Sequence, residues 1–355
     1  MSPAVNDTVW SEQDTTPAAI EAALRGLLVE RHAESELYVP ARVLNLVCIV
    51  DREWSGEIAN RLRTVGRNHP SRTIVCAVTP GRTTVDAIAS VAATASPEAG
   101  VFALTRETVI IDIGPRHVPY LDSIVDPLVV TDIATMVWAP HGHWDAVSAL
   151  DRLAQIVLLD SSADPDVGGA LRRASDLLTR LHVVDLAWLR SAPWRERVAA
   201  AFDPPARRPR LQKIAELEVR HHYASGAGAL LLCGWLASRL DWEPRPLEVP
   251  GDGTATGWVR ARGGRVSIRL QSVPQDAPGL SGITLGLRDG SSLSLDRGRG
   301  GLHAVRREPD GREHAWTLLG ASRGEGGILG EGIRQSLLRD HVYGEALRAT
   351  AGLLA

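Results

Sequence analysis

Lysine is almost missing from this 355-residue chain: Lys213 stands alone, and arginine supplies the rest of the 39 basic residues. Against 42 acidic residues the net charge is −3, which leaves no basic excess of the kind a dedicated nucleic-acid binder shows. The abundance of arginine, alanine and glycine is a compositional bias, so a lone arginine carries no functional signal. Cysteine is scarce too. Cys48, Cys76 and Cys233 each lie inside an apolar run, and no CxxC or Cys/His cluster exists. Buried free thiols in a reducing compartment are therefore expected. The longest apolar runs, near Leu44–Val50 and Ala229–Ala237, fall far short of the ~20 residues a membrane span needs. The opening MSPAVNDTVWSEQDTT is polar and slightly acidic, unlike a signal peptide. A soluble cytoplasmic chain with neither membrane nor nucleic acid as partner is the expectation. Two chemical fingerprints are absent as well: no GxGxxG follows a strand, and no GxxxxGK[ST] occurs.

What is present alternates between strand and helix signals. Thr16-Pro17 starts a helix with Ile20, Leu24 and Leu27 on one face, after a segment 1–14 that reads as disordered or loosely attached. RVLNLVCIV (Arg42–Val50) is a β-branched strand, Ile58, Leu62 and Val65 mark a helix, and Ile74–Val78 is a second buried strand. Val101–Leu104 and Thr108–Ile113 read as a hairpin pair. Ile133–Trp138 and Ile156–Leu159 read as further strands, with a helical stripe of Trp144, Val147, Leu150 and Leu153 between them. Such alternation predicts an α/β fold: a three-layer N-terminal domain with a mixed, mainly parallel sheet, over residues 1–165. Asp164 at the N-cap and Pro165 at the first helical position then open a helix carrying Leu171, Ala174 and Leu178. After a Pro/Arg linker, DPPARRPR (Asp203–Arg210), an all-apolar helix is expected over 227–240 and an antiparallel meander from Thr254 to Leu319. A Gly-rich loop, Gly324–Gly332, leads into a last helix. Residues 166–355 thus read as a C-terminal α+β domain: helical over 166–245, antiparallel sheet over 254–319, terminal helix over 330–354. No repeat of 20–50 residues is present.

Candidate sites are few. Asp160-Ser161-Ser162 precedes a helix N-terminus, the place where open α/β sheets hold ligands, although three nearby aspartates oppose an anion. His141-Gly142-His143 and His221-His222 are weak metal signals without a convergent third ligand. His69-Pro70-Ser71-Arg72-Thr73 reads as a loop fixed by proline and capped by hydroxyls. DLAWLRSAPWR (Asp185–Arg195) concentrates two tryptophans and their arginines in eleven positions. Trp and Arg are enriched at interface hot spots, and both core and interface roles stay open for this segment. Trp194, Val198 and Ala201 keep helical spacing, which sends Trp194 to the core. Trp188 and Arg190 are left as the exposed half, with Arg195 and Asp185 beside them.

Several stretches together resemble the OpcA family, assembly or activator proteins of glucose-6-phosphate dehydrogenase. They are RVLNLVCIV (Arg42–Val50), HPSRTIV (His69–Val75), LDSS (Leu159–Ser162), DLAWLRSAPWR (Asp185–Arg195) and GWLASRLDW (Gly234–Trp242). They stand in the family's order across roughly residues 40–245, with DLAW…PWR the most telling. The resemblance implies a cytoplasmic protein without catalytic residues, metal or cofactor. It would bind glucose-6-phosphate dehydrogenase, promote its active oligomer and favour NADPH production through the oxidative pentose phosphate route. Thioredoxin-linked control, associated with some members, is not carried over, because no cysteine pair stands out. The alternative is a module binding a sugar phosphate or nucleotide at Asp160, Ser161 and Ser162.

Overall fold

The computed structural model describes residues 8–40, 42–65, 70–93, 103–249, 253–319, 324–336 and 338–354. It divides into two compact units: the chain up to Leu159 with Leu181–Val184 and Glu325–Leu338, and Asp160–Arg180, Asp185–Gly324 and the chain from Arg339.

The first unit starts with strand β1 (Thr8–Glu12) and helix α1 (Pro17–Glu34). Thr16 accepts the Ala19 N–H at 3.3 Å and Pro17 takes the first helical position, as the sequence predicts. Then come β2 (Tyr38–Pro40), β3 (Leu44–Asp51), α2 (Ser55–Val65), β4 (Ser71–Val78), β5 (Asp86–Ala93) and β6 (Ala103–Ile113). After α3 (Leu121–Val125), β7 (Thr135–Trp138), α4 (Trp144–Ala149) and β8 (Ile156–Leu159), the chain makes α5 (Val167–Leu178) in the second unit and returns as β9 (His182–Asp185). The described strands form one sheet in the order β1-β5-β6-β4-β3-β7-β8-β9, with β2 also on β6. The β2–β6, β6–β4, β4–β3, β3–β7 and β7–β8 pairs are parallel. β5 runs antiparallel to both β1 and β6, so the sheet is mixed and mainly parallel, as expected. Strand β4 and all of β3 before Asp51 are buried residue by residue, the pattern of central strands covered on both faces.

Three local expectations fail here. Thr8–Glu12 is not loose but pairs with β5; residues 1–7 lie outside the described residues. The anticipated hairpin is one continuous strand, β6, because its partner β5 is an Ala-rich segment, DAIASVAA, whose composition hides its strand character; Val101 and Phe102 lie outside the described residues. Gly324–Gly332 is not a loop either. It belongs to α9, in which Leu329 and Ile333 are buried, so packing overrides the poor helix propensity of glycine. In the HPSRT segment, Arg72 is nearly buried, pairs with Glu107 at 2.6 Å and donates to the Leu128 carbonyl at 2.9 Å. Arg42 reaches the same carboxylate. His69 lies outside the described residues.

In the second unit, α6 (Leu186–Arg190) and α7 (Ala192–Phe202) follow β9, then β10 (Ile214–His221) and α8 (Gly226–Arg239). The meander comprises β11 (Thr254–Ala261), β12 (Gly264–Ser272), β13 (Leu280–Leu287), β14 (Ser292–Gly298), β15 (Gly301–Arg307) and β16 (Glu313–Leu319). The chain then makes α9 (Gly324–Gln335), assigned to the first unit, and α10 (His341–Leu354). Strand order is β11-β12-β10-β13-β14-β15-β16. Only β10 against β12 is parallel among these described pairs; the rest of the sheet is antiparallel, as the alternating pattern predicts. Alternate residues Val266, Ile268 and Leu270 of β12, with Leu217, Val219, Ile283 and Leu285, form its core with α7 and α8. Gly234 of α8 sits where α10 crosses; a Cβ there would collide with Thr350 Oγ1 and the Ala346 carbonyl. The α5 N-cap is Asp166, not Asp164: its carboxylate takes the Gly169 N–H at 2.9 Å, while Asp164 accepts from the Asp166 N–H and pairs with Arg173 at 3.0 Å.

Cys48, Cys76 and Cys233 are fully buried. Burial pushes the Cys76 and Cys233 thiols up to about 12, and burial together with Cys76 raises Cys48. All three should react slowly with a thiol reagent in native buffer and at once in denaturant. Fast native labelling of two of them would contradict this packing.

Candidate functional site

The DLAWLRSAPWR segment begins at the end of β9. Asp185 is 1% exposed and caps α6, accepting the Ala187 N–H at 2.9 Å. Its carboxylate also takes the Ser161 N–H at 3.1 Å, the Ser161 hydroxyl at 2.5 Å and the Tyr343 hydroxyl at 3.1 Å. One carboxylate thus ties the 160–162 loop, α6 and α10 together. Burial pushes this carboxyl up to about 6, aided by Asp160 and opposed by the hydrogen bonds from Ser161 and Ala187. Burial and the neighbouring Asp185 raise the Tyr343 phenol well above its ordinary value, so it stays a donor. Asp160 pairs with Arg190 at 2.8 Å, and the Ser162 N–H donates to Asp160 at 3.1 Å. Asp160, Ser161 and Ser162 therefore spend these groups on their own neighbours.

Trp188 departs from the expectation of an exposed indole. It is 2% exposed. Its ring stands 5.6 Å from that of Tyr343, and its Nε1–H donates to Asp340 at 2.7 Å. Ser191 closes α6 by donating its hydroxyl to the Trp188 carbonyl at 2.8 Å. This tight turn aims the indole at the start of α10, where Asp340 lies 152 positions away in sequence, and local periodicity carries no trace of such a partner. The guanidinium of Arg195 lies 3.2 Å over the Trp188 ring, a cation–π contact. Burial lowers the Arg195 pKa to about 10, against the pull of Asp340 and Glu196, and the side chain remains cationic at neutral pH. Trp194, Val198 and Ala201 are buried, as their spacing predicts. Sequence reasoning misses Asp340 and Tyr343. Their one signal is an aspartate set three positions before the tyrosine, where it caps α10 by accepting the Val342 N–H at 2.9 Å.

The remaining histidine signals resolve into local contacts. His143 Nε2 lies 3.2 Å from Asp51, the His141 ring stands 5.6 Å from Trp54, and His221 Nδ1 is 2.8 Å from the His222 carbonyl. Among the described residues no group of three or more His, Cys, Asp or Glu side chains could hold a metal ion, and no helix is long and apolar enough to cross a membrane. The hydroxyls of Ser161 and Tyr343 are both taken up by the Asp185 carboxylate. At the surface beside it stand Arg190 and Arg195, both partly exposed and held in place by Asp160 and by the indole, with the exposed carboxylates of Asp340 and Glu196 near Arg195.

Residues 63–176 match a family model described as the glucose-6-phosphate dehydrogenase subunit N-terminal domain. Residues 181–347 match the corresponding C-terminal domain model. Two cyanobacterial relatives are both called "Putative OxPP cycle protein OpcA". The one from Synechococcus elongatus is 30% identical over 167 residues, 45% of this chain and 38% of the relative. The one from Synechocystis sp. is 30% identical over 128 residues, 35% of this chain and 27% of the relative. The chain thus spans well under half the length of the curated relatives it matches. Among solved structures, a dehydrogenase (MviM) from Clostridium difficile aligns with a TM-score of 0.47 at 9% identity, over 87% of this chain and 96% of that one. The transcriptional regulator Gal80p from Kluyveromyces lactis aligns with a TM-score of 0.48 at 8% identity, over 87% of each chain.

Proposed function

The chain belongs to the OpcA family of glucose-6-phosphate dehydrogenase subunits, and from that premise we propose that it is a non-enzymatic assembly factor. It binds glucose-6-phosphate dehydrogenase and promotes the active oligomer, which favours NADPH production in the oxidative pentose phosphate route. The observation that carries this reading is the ordered pair of matches: both halves of the chain correspond to the two domains of one dehydrogenase-subunit family. The DLAWLRSAPWR segment supplies the docking feature. Trp188, inside the fold, is the platform; Arg195 sits over its ring and Arg190 is held by Asp160. An arginine already ordered by its neighbours loses less side-chain entropy on docking, and its forked donors suit carboxylates on a partner.

Titrating the dehydrogenase with wild type, Arg190→Ala and Arg195→Ala tests this. Each substitution should raise the concentration for half-maximal activation by about 30-fold, the equivalent of a ~2 kcal/mol hot spot. Arg195→Lys keeps the charge but not the fork, and it should fail nearly as badly. Melting curves separate this from unfolding, because loss of the cation–π contact costs about 1–2 kcal/mol, well short of unfolding the chain. Variants that activate as well as wild type would move the interface elsewhere. A wild type that neither sediments with the dehydrogenase nor changes its activity would remove the assembly reading.

A further inference from the structure

The DPPARRPR segment, a linker by composition, turns back after α7 and lines a hollow against the meander. Arg207, Arg210, Arg306 and Arg307 converge there with Ser291 and Ser292, over a floor that includes Phe202 and Leu293. The hollow is shallow and opens to solvent.

Its charge is not balanced from within. Arg210 pairs with Glu308 at 2.8 Å and Arg307 with Glu313 at 2.6 Å. Among the described residues Arg207 and Arg306 have no carboxylate at ion-pair distance. Four guanidinium groups less two carboxylates leave a charge of +2; Asp289, which accepts from Ser291, is itself paired with Lys213 at 3.3 Å. Arg306 is the costly member. On β15 it shares the core-facing side with buried Ala304, opposite Leu293. It donates to the Ala201 carbonyl at 3.2 Å and stands 5.3 Å from the Trp316 ring. Burial and the adjacent Arg207 lower its pKa, as Arg210 does to a smaller extent, against Glu308. A cation placed among cations on an apolar face weakens the fold, and a strained electrostatic arrangement of that kind marks a place where an anion belongs.

We propose that this hollow binds a small phosphate dianion, either inorganic phosphate or the head of a phosphate monoester. The excess charge of +2 matches that dianion, guanidinium forks pair bidentately with phosphate oxygens, and the Ser292 side chain on the rim is of the hydroxyl type that adds a donor. The site stands independently of the dehydrogenase reading.

Calorimetric titration and melting curves of the full chain with potassium phosphate, glycerol 3-phosphate and, at equal ionic strength, potassium chloride test it. Phosphate should bind saturably and raise the melting temperature where chloride does not. Arg207→Gln and Arg306→Gln should each weaken phosphate binding at least ~10-fold, the loss expected for charge-assisted hydrogen bonds. Without phosphate, Arg306→Gln should melt no lower than wild type, since it removes a repelled cation; Arg207→Gln, at a partly exposed position, keeps the test open if Arg306→Gln misfolds. Tighter binding of glycerol 3-phosphate than of phosphate assigns the site to monoesters, and equal binding assigns it to the free anion. A wild type that responds to phosphate only as it does to chloride, or variants that keep the full response, would overturn the proposal.

Discussion

Trp188→Ala should lower the unfolding free energy by about 3–5 kcal/mol, the usual loss for a buried tryptophan cut to alanine. The indole is 2% exposed, packs on Tyr343, donates to Asp340 and carries Arg195 on its face. The loss should therefore equal that of Trp194→Ala, which removes a side chain that is 3% exposed. Trp188→Phe separates the contributions. It keeps an aromatic ring for Tyr343 and Arg195 and gives up the Nε1–H bond to Asp340, an exposed carboxylate that water can satisfy; about 1 kcal/mol is expected from that bond. Denaturant unfolding of the three variants, read at constant slope, gives the values. A Trp188→Ala protein as stable as wild type would return this residue to the surface. The result also governs how dehydrogenase assays are read: lost activation by Trp188→Ala reports a damaged fold, whereas lost activation by Arg195→Lys reports a damaged interface.

Asp185→Ala should cost as much, about 3–5 kcal/mol, because it strands several buried donors at once. The N–H groups of Ser161 and Ala187 and the hydroxyls of Ser161 and Tyr343 all point at the carboxylate. A buried donor without a partner costs about 1–3 kcal/mol, part of which the two hydroxyls recover by rotating. Asp185→Asn keeps an acceptor oxygen for the N–H groups and should cost about 1–2 kcal/mol. The asparagine variant also isolates the titration. The folded carboxyl sits at about 6 against an ordinary value of 3.8, so the folded state binds the proton more tightly than the unfolded state. The stability this supplies is fully present below the unfolded value and is lost as pH rises through about 6. The gap between those two values corresponds to about 3 kcal/mol. The stability of wild type minus that of Asp185→Asn should therefore fall between about pH 4 and pH 7, with the other titrating groups cancelling in the difference. A gap that widens with pH would mean that the donors outweigh burial and hold the carboxyl below its ordinary value.

The central strands were legible because they are local. Leu44–Asp51 and Ser71–Val78 are short apolar, β-branched runs, and alternation along Gly264–Ser272 marked a strand with one covered face. The helix start at Thr16-Pro17 and the burial of Trp194 followed from capping chemistry and a spacing of four, which act within a turn or two of chain. The strand role of Asp86–Ala93 did not, because alanine carries little β signal and the segment became a strand by pairing with β1 and β6. Nor did the placement of Trp188. Its pattern was compatible with either surface or core until the start of α10 brought Tyr343 and Asp340, the latter 152 positions on, against it. Asp185 had a visible capping role but not its hub: Ser161 stands 24 positions before it and Tyr343 158 after. The arginine hollow is the same kind of case, a composition read as linker until β14 and β15 closed on it. Residue type and short-range period determine which segments are strand, helix and core in this protein. Which polar groups end up sharing one buried carboxylate, and which cations end up facing one another, is decided by long-range packing that no local pattern encodes.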